Sequence, residues 1–347
     1  MRRCRPKGAS SSFLPEAPGR KDMNNITRRA IGKGLMSLPC LSVFPSTGWA
    51  QMFPAGPVRV VVPTAPGGAL DIMSRLVTAR LADDWKQSVI VDNKAGGSGI
   101  LGSNIVANAP PDGLTVLFTT STHAVNPVLL KSIPYDTETA FTPIATIAET
   151  AYALVGSAKS NFSDAAALFA DIRAQPGKYA IGSSENSARL VGDLIKNKGK
   201  LSFESVLYKG AAPMLQEVVS GVIPAGITTP VSAMSHHRSG TAKILAITSE
   251  KRLPVLADVP TIGELGIPGV VCSVWFAVFG PKGLPPTVAD KFHDGIAKAL
   301  RDSAIIAKIR DFGAEPSGEG PAALAARLKT DLAQWRQLAQ AAGVQPE

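Results

Sequence analysis

Cysteine is nearly absent from this chain. There are three in 347 residues, and Cys4 and Cys40 fall within the first 50. Only Cys272 lies beyond them, so residues 51–347 cannot close an internal disulfide. A lone Cys inside the apolar run VVCSVWFAVFG reads as a small buried hydrophobe rather than a nucleophile. Histidine is also scarce, with four. His236 and His237 are adjacent near a helix end, His293 lies on a helix face, and only His123 follows a strand. No G-x-S-x-G, H-E-x-x-H or Walker loop occurs, which leaves the common hydrolase, zinc-protease and nucleotidase readings without support. No metal-ligand or cofactor pattern stands out.

Acidic residues are missing from one end. Residues 1–50 hold nine of the 36 Lys and Arg but only two of the 27 acids, Glu16 and Asp22. The remainder has 27 basic and 25 acidic residues, a formal net charge of +2 against +9 for the whole. The basic character therefore belongs to the leader and is no argument for nucleic-acid binding.

The leader has the zones of an export signal. Thr27-Arg28-Arg29-Ala30-Ile31-Gly32-Lys33 is a twin-arginine pattern, an apolar stretch follows from Gly34 to about Phe44, and Gly48-Trp49-Ala50 supplies small residues for cleavage. The apolar stretch is too short for a stable anchor, and no other segment looks transmembrane. Met23 is a plausible start. The expectation is export to the periplasm, by the twin-arginine or the general secretory route.

Beyond residue 50, strand and helix patterns alternate. VRVVVP (58–63), SVIVDN (88–93) and LTVLFTT (114–120) are β-branched runs, while Leu70, Met73, Leu76, Val77 and Leu81 fall on one helical face. The alternation restarts after residue 152, with a helix N-capped by Ser163, and SVWFAVFGPKGLP leads back to the first unit. Alternating strands and helices predict parallel α/β sheets. The organisation expected is a leader (1–50), a first α/β domain (51–152 plus 274–347) and a second (153–273). The C-terminal helices should pack on the first.

Gly97-Ser98-Gly99-Ile100-Leu101-Gly102 fits G-x-G-x-x-G. It follows the second strand, however, and the next strand ends in Thr119-Thr120 rather than an acid. A tight turn allowing close helix packing is the better reading. The turn VPTAPGGALD is more informative. It lies beyond the carboxyl end of the first strand, where α/β sheets bind ligands. Gly67 and Gly68 can take positive φ and turn consecutive amides inward, and the following helix adds its free N–H groups. Asp71 either caps that helix or meets a donor on the ligand. Other strand ends carry Ser121, Thr122, His123 and Asn126; Ser183, Ser184 and Asn186; Tyr208, Lys209, Gly210 and Ala211; Thr228 and Thr229. Hydroxyls, amides and glycines suit a small polar anion and form no nucleophile–base pair.

The stretches VPTAPGGALDIMSRL, VDNKAGGSGILG, PPDGLTVLFTTSTHAVNP, IPYDTETAFTPIA, LYKGAAP, AITSEKR, LADVPTIGELGIPG and WFAVFGPKGLP occur in this order. In that order they resemble the tripartite tricarboxylate transporter substrate-binding proteins, the TctC or Bug family. The resemblance implies an α/β, two-domain periplasmic binding protein fold (type II) with the ligand cleft between domains. It implies a solute-binding protein, not an enzyme, that captures a small organic acid or amino acid by hinge closure. A membrane transporter or a sensor would be its partner, with the protein a monomer and no cofactor. The resemblance places the carboxylate on Thr64, Ala65, Pro66, Gly67 and Gly68 with Asp71, and on Ser183, Ser184, Asn186 and Ser187. Ser121, Thr122, His123, Arg189, Tyr208, Gly210 and Thr228 complete the candidate set.

The chain departs from the family pattern. Where relatives read like SSGNGTSSH, IGSSENSAR stands here: Ser183 and Glu185 replace the two glycines and Arg189 the usual His. Thr228 and Ala140 replace frequent Asp residues. Arg189 either clamps a carboxylate or is a solvated helix residue. Glu185, if it faces the cleft, repels a second carboxylate. The alternative function is a secreted α/β enzyme acting on a small acid, with His123 as base.

Overall fold

The computed structural model describes residues 53–341 and 343–346. The leader and its twin-arginine segment lie outside the described residues. The first part of the chain runs β1 (Val58–Val62), α1 (Ala69–Trp85), β2 (Val89–Asn93), α2 (Ile100–Ala107), β3 (Thr115–Thr120), α3 (Thr122–Leu129) and β4 (Phe141–Ala151). Next come β5 (Ala153–Ser157), α4 (Ala165–Ala174), β6 (Ala180–Ser183), α5 (Asn186–Lys198), β7 (Glu204–Leu207), α6 (Ala211–Ser220), β8 (Ala225–Thr228), α7 (Pro230–Ser239) and β9 (Ala242–Ile247). The chain closes with β10 (Ser273–Pro281), α8 (Pro286–Ala299), α9 (Ser303–Asp311), β11 (Ala314–Pro316) and α10 (Pro321–Ala341).

Two sheets form. One has the order β11-β4-β10-β3-β1-β2 and the other β7-β6-β8-β5-β9. The sheets are mixed rather than parallel as the alternation suggested. β1, β2 and β3 are parallel, but β10 runs antiparallel to both β3 and β4. In the second sheet β6, β7 and β8 are parallel, and β5 is antiparallel to β8 and β9. The reason is connectivity. A strand that arrives from the other sheet has no crossover helix to turn it parallel.

The cores follow from composition. Val58, Val60, Val61 and Val62 of β1 are all buried, as a central strand covered on both faces requires. On α1, Leu70, Met73, Val77 and Leu81 face the core. Gly295 lets α8 press against it, since a Cβ there would lie 2.8 Å from Leu81. The long α10 is fixed to the first sheet by a polar clasp. Trp275 Nε1 of β10 donates to Asp331 at 2.6 Å, and Arg327 bridges Asp331 and Glu149. In α4 the N-cap is Asp164, which accepts from the Ala167 amide; Ser163 instead donates its hydroxyl to Asp164. The carboxylate is the stronger acceptor, so it takes the cap.

The chain passes between the sheets at Tyr152 and again just before Ser273. Thr248, at the end of β9, ties both passages. Its hydroxyl donates to the Cys272 carbonyl at 2.7 Å and accepts from the Tyr152 amide at 3.0 Å. Among the described residues no helix is long and apolar enough to cross a membrane.

Candidate functional site

The two sheets turn strand ends and helix starts toward one another. Gly68 and Ala69 at the start of α1, Ser184 and Glu185 before α5, Gly210 and Ala211 at the start of α6, and Thr229 at the start of α7 line one cavity with Thr64, Thr120 and Thr228. The aligned peptide dipoles place partial positive charge at each of these four ends. None of the four helices has a side-chain cap of its own. The Thr64 and Thr229 hydroxyls are buried without a hydrogen-bond partner. Buried hydroxyls rarely stay unpaired unless something else completes them.

The faces are in close contact. A Cβ on Gly210, whose φ is +126°, would lie 3.4 Å from the Ala65 amide nitrogen. The enclosed space is accordingly small, about 20 Å³, room for a single water. A wider space of about 150 Å³ adjoins it, bounded by Pro63, Gly96–Gly99 and Leu207–Gly210. Thr64, Ser184, Glu185 and Gly210 border both.

The Pro-Gly-Gly turn differs from the expected nest. Gly67 has φ +83°, but Gly68 is extended at φ −85°. The Gly67 amide is held by Asp71 at 3.0 Å and the Ala69 amide by the Ser232 hydroxyl at 2.9 Å. Asp71 thus closes its own turn and also pairs with Arg75. Burial would raise its pKa, but the Arg75 and Gly67 hydrogen bonds outweigh it and hold the carboxyl below its usual value. Ser232 reaches across from α7, so the turn is completed by the opposite domain.

Several candidates from the sequence lie elsewhere. Thr122 and Ser187 share a hydrogen bond of 2.6 Å, Asn186 donates to Asn126 at 3.0 Å, and Ser121 meets the Tyr152 hydroxyl at 3.3 Å. The first two bonds join the domains, the third lies within the first domain, and none of these groups lines either space. Ser183 is buried at the end of β6. Tyr208 borders the wider space, but its hydroxyl donates to Glu217 at 2.5 Å; burial and that carboxylate push it up to about 12. Arg189 sits beside Asp193 in a separate depression with Lys131 and Lys196.

His123 is not a cleft base. It lies on α3 among Tyr135, Phe141 and Phe279, with both ring nitrogens buried and unpartnered. Consecutive helix residues point about 100° apart, so with Thr122 bonded to the second domain, His123 enters the core. Desolvation lowers its pKa to about 3 and keeps it neutral. Conversely, sequence reasoning passed over Ser232, Phe276 and Gly96–Gly99. Only the last had a signal, its glycines beyond a strand end. Gly102 of the same motif does allow close packing: a Cβ there would lie 2.8 Å from Pro63.

Among the described residues no group of three or more His, Cys, Asp or Glu could hold a metal ion. The fold is that of the two-domain periplasmic binding proteins. The tripartite tricarboxylate transporter family receptor, TctC, matches residues 73–344, and the chain belongs to that family of solute-binding receptors. Protein BugT of Bordetella pertussis is 32% identical over 290 residues, 82% of this chain and 89% of BugT. The structure of Rpa4515 of R. palustris with adipate is 32% identical with a TM-score of 0.82, covering 85% of this chain and 100% of that one. MatC from Rhodopseudomonas palustris, with bound malate, is 28% identical with a TM-score of 0.78, covering 82% and 99%. The alternative of a secreted enzyme is set aside, because the family consists of binding receptors.

Proposed function

We propose that this receptor binds a small carboxylate in the cleft between its sheets and closes around it. The observation that carries this is the meeting of four helix N-termini at one cavity that also holds two unpartnered buried hydroxyls. A carboxylate there meets amides, hydroxyls and helix dipoles together, at about 1.5–3 kcal/mol per charge-assisted hydrogen bond. No Arg is needed. The adipate and malate in two similar structures support this ligand class.

The ligand set we infer is Thr64, Gly68, Ser184, Gly210, Thr228 and Thr229, with Ser232 supporting the first turn; Ala65, Pro66 and Gly67 line neither space. Residues 51–152 with 274–347 would move against 153–273, hinged where Thr248 joins the two passages. Ligand favours the closed state because only that state presents both faces to it. The protein would act in the periplasm, after export of the precursor, and hand its ligand to a membrane transporter or report it to a sensor.

The test is calorimetry and thermal melting with a panel of C3–C6 mono- and dicarboxylates. One-to-one saturation and a ligand-raised melting temperature are expected. Failure of every carboxylate to bind would refute the reading.

A further inference from the structure

The inference rests on the carboxylate reading of the cleft and concerns the other end of the ligand. Glu185 is the N-cap residue of α5, with φ −166° and ψ 172°, yet its side chain makes no cap bond. The carboxylate turns toward the first domain, where the Thr120 hydroxyl donates to it at 3.4 Å. Glu185 lines both the small space and the wider one, and Thr120 lines the small one with it. The groups facing it are the hydroxyls of Thr120, Thr122 and Ser187, with Tyr152 beyond. Among the described residues no Lys, Arg or His forms an ion pair with Glu185. Lys209 lines the wider space and is itself exposed, so its charge is met by water.

An acid therefore stands inside a cleft built for an anion. It already answers part of the positive field of the helix ends. A second carboxylate on the ligand would face it in a partly desolvated space, where like charges repel far more than in water. A cation on the ligand would supply there the counter-charge to Glu185 that the protein itself does not. Burial raises the Glu185 carboxyl, and an ammonium partner would relieve that cost.

We propose that Glu185 makes this receptor selective for a ligand bearing an ammonium group as well as a carboxylate, an amino acid rather than a dicarboxylate of equal length. The ligand's carboxylate takes the helix ends and its ammonium takes Glu185.

Two matched series test this by calorimetry on the intact protein: adipate, 6-aminohexanoate and hexanoate, then succinate, 4-aminobutanoate and butanoate. In at least one series the amino acid should bind tenfold or more tighter than the dicarboxylate. Glu185→Gln should erase or reverse that ratio while the monocarboxylate, whose far end is uncharged, changes little, and Glu185→Asp should keep the preference. Thermal melts confirm that each variant is folded. Equal or tighter binding of the dicarboxylates by the wild type would overturn the proposal. So would an unchanged ratio in Glu185→Gln, which would mean that a neutral amide serves as well and the charge of Glu185 does not discriminate. If no member of either series binds, the carboxylate reading fails and this inference falls with it.

Discussion

The starts of α4 and α9 differ in kind from those of α1, α5, α6 and α7. The first two are closed by their own acids: Asp164 accepts from the Ala167 amide at 2.8 Å and Asp302 from the Ala304 amide at 2.9 Å. The other four begin at the cleft with Gly68, Glu185, Gly210 and Thr229, none of which caps its own helix. A missing cap does not mark a site by itself, since α2, α3 and α8 also lack one. What separates the four is that their ends share one cavity. Helix starts outside the cleft can be optimised for stability. Those inside it leave polar capacity for something that arrives later.

Unpartnered polar groups allow the same comparison, and it breaks most sharply at His123. Thr64 and Thr229 lack partners at the cleft, where a ligand can complete them; His123 lacks them in an aromatic core, where nothing can. Its pKa is lowered to about 3 in the fold against 6.5 in the unfolded chain. The unfolded state therefore binds the proton first, and stability is lost as pH falls below about 6.5. At pH 5 the loss attributable to His123 is about 2 kcal/mol. Denaturant melts at pH 7.5 and pH 5 should show His123→Phe losing about that much less than the wild type. Parallel losses would show that folding does not lower the pKa of this histidine.

The cleft side of the comparison rests on Thr229. Replacing it with Val keeps its shape and removes the hydroxyl that has no partner in this structure. Stability should hold or rise slightly, because an unsatisfied buried group is removed. Ligand affinity should fall about tenfold, the equivalent of one hydrogen bond to a charged group. Calorimetry and thermal melting on the same sample separate the two effects. A loss of stability with affinity unchanged would make Thr229 a structural residue and weaken the reading of the cleft.

The fold could be read from the sequence further than the site could. Strand β1 is legible because four valines and one arginine admit little else, and α1 because its apolar residues keep helical period. The antiparallel entry of β10 is not legible, since it depends on where the chain comes from rather than on what it contains. The site shows the same limit at closer range. Gly67 and Gly210 announce unusual backbone, and both adopt positive φ. Nothing local tells Thr122 from Thr229, two threonines after strands. One bonds Ser187 across the domains and the other is left open. Pairing between domains is a long-range fact, and one-residue rotation on a helix is enough to exchange a cleft position for a core one. Ser232 is the extreme case, a serine in the first turn of α7 whose role appears only once the Ala69 amide is placed beside it.

The smallest expected effect is at the two Asp caps, and it tests whether the contrast between helix starts is real. Asp164→Ala and Asp302→Ala each remove a carboxylate that holds a helix amide, and each should cost about 1 kcal/mol of stability. Neither residue lines the cleft, so ligand affinity should stay within twofold. Asp164 is the cleaner probe, because beyond its cap it accepts from the exposed Ser163 hydroxyl, which water can replace, whereas Asp302 also pairs with Arg80 at 3.2 Å. Asp164→Asn keeps the cap acceptor without the charge and should recover most of the loss, which would assign it to the hydrogen bond rather than to the helix dipole. If Asp164→Ala instead weakened ligand binding as much as Thr229→Val does, helix starts inside and outside the cleft would be energetically coupled. The division of labour between capped and uncapped helices would then be wrong.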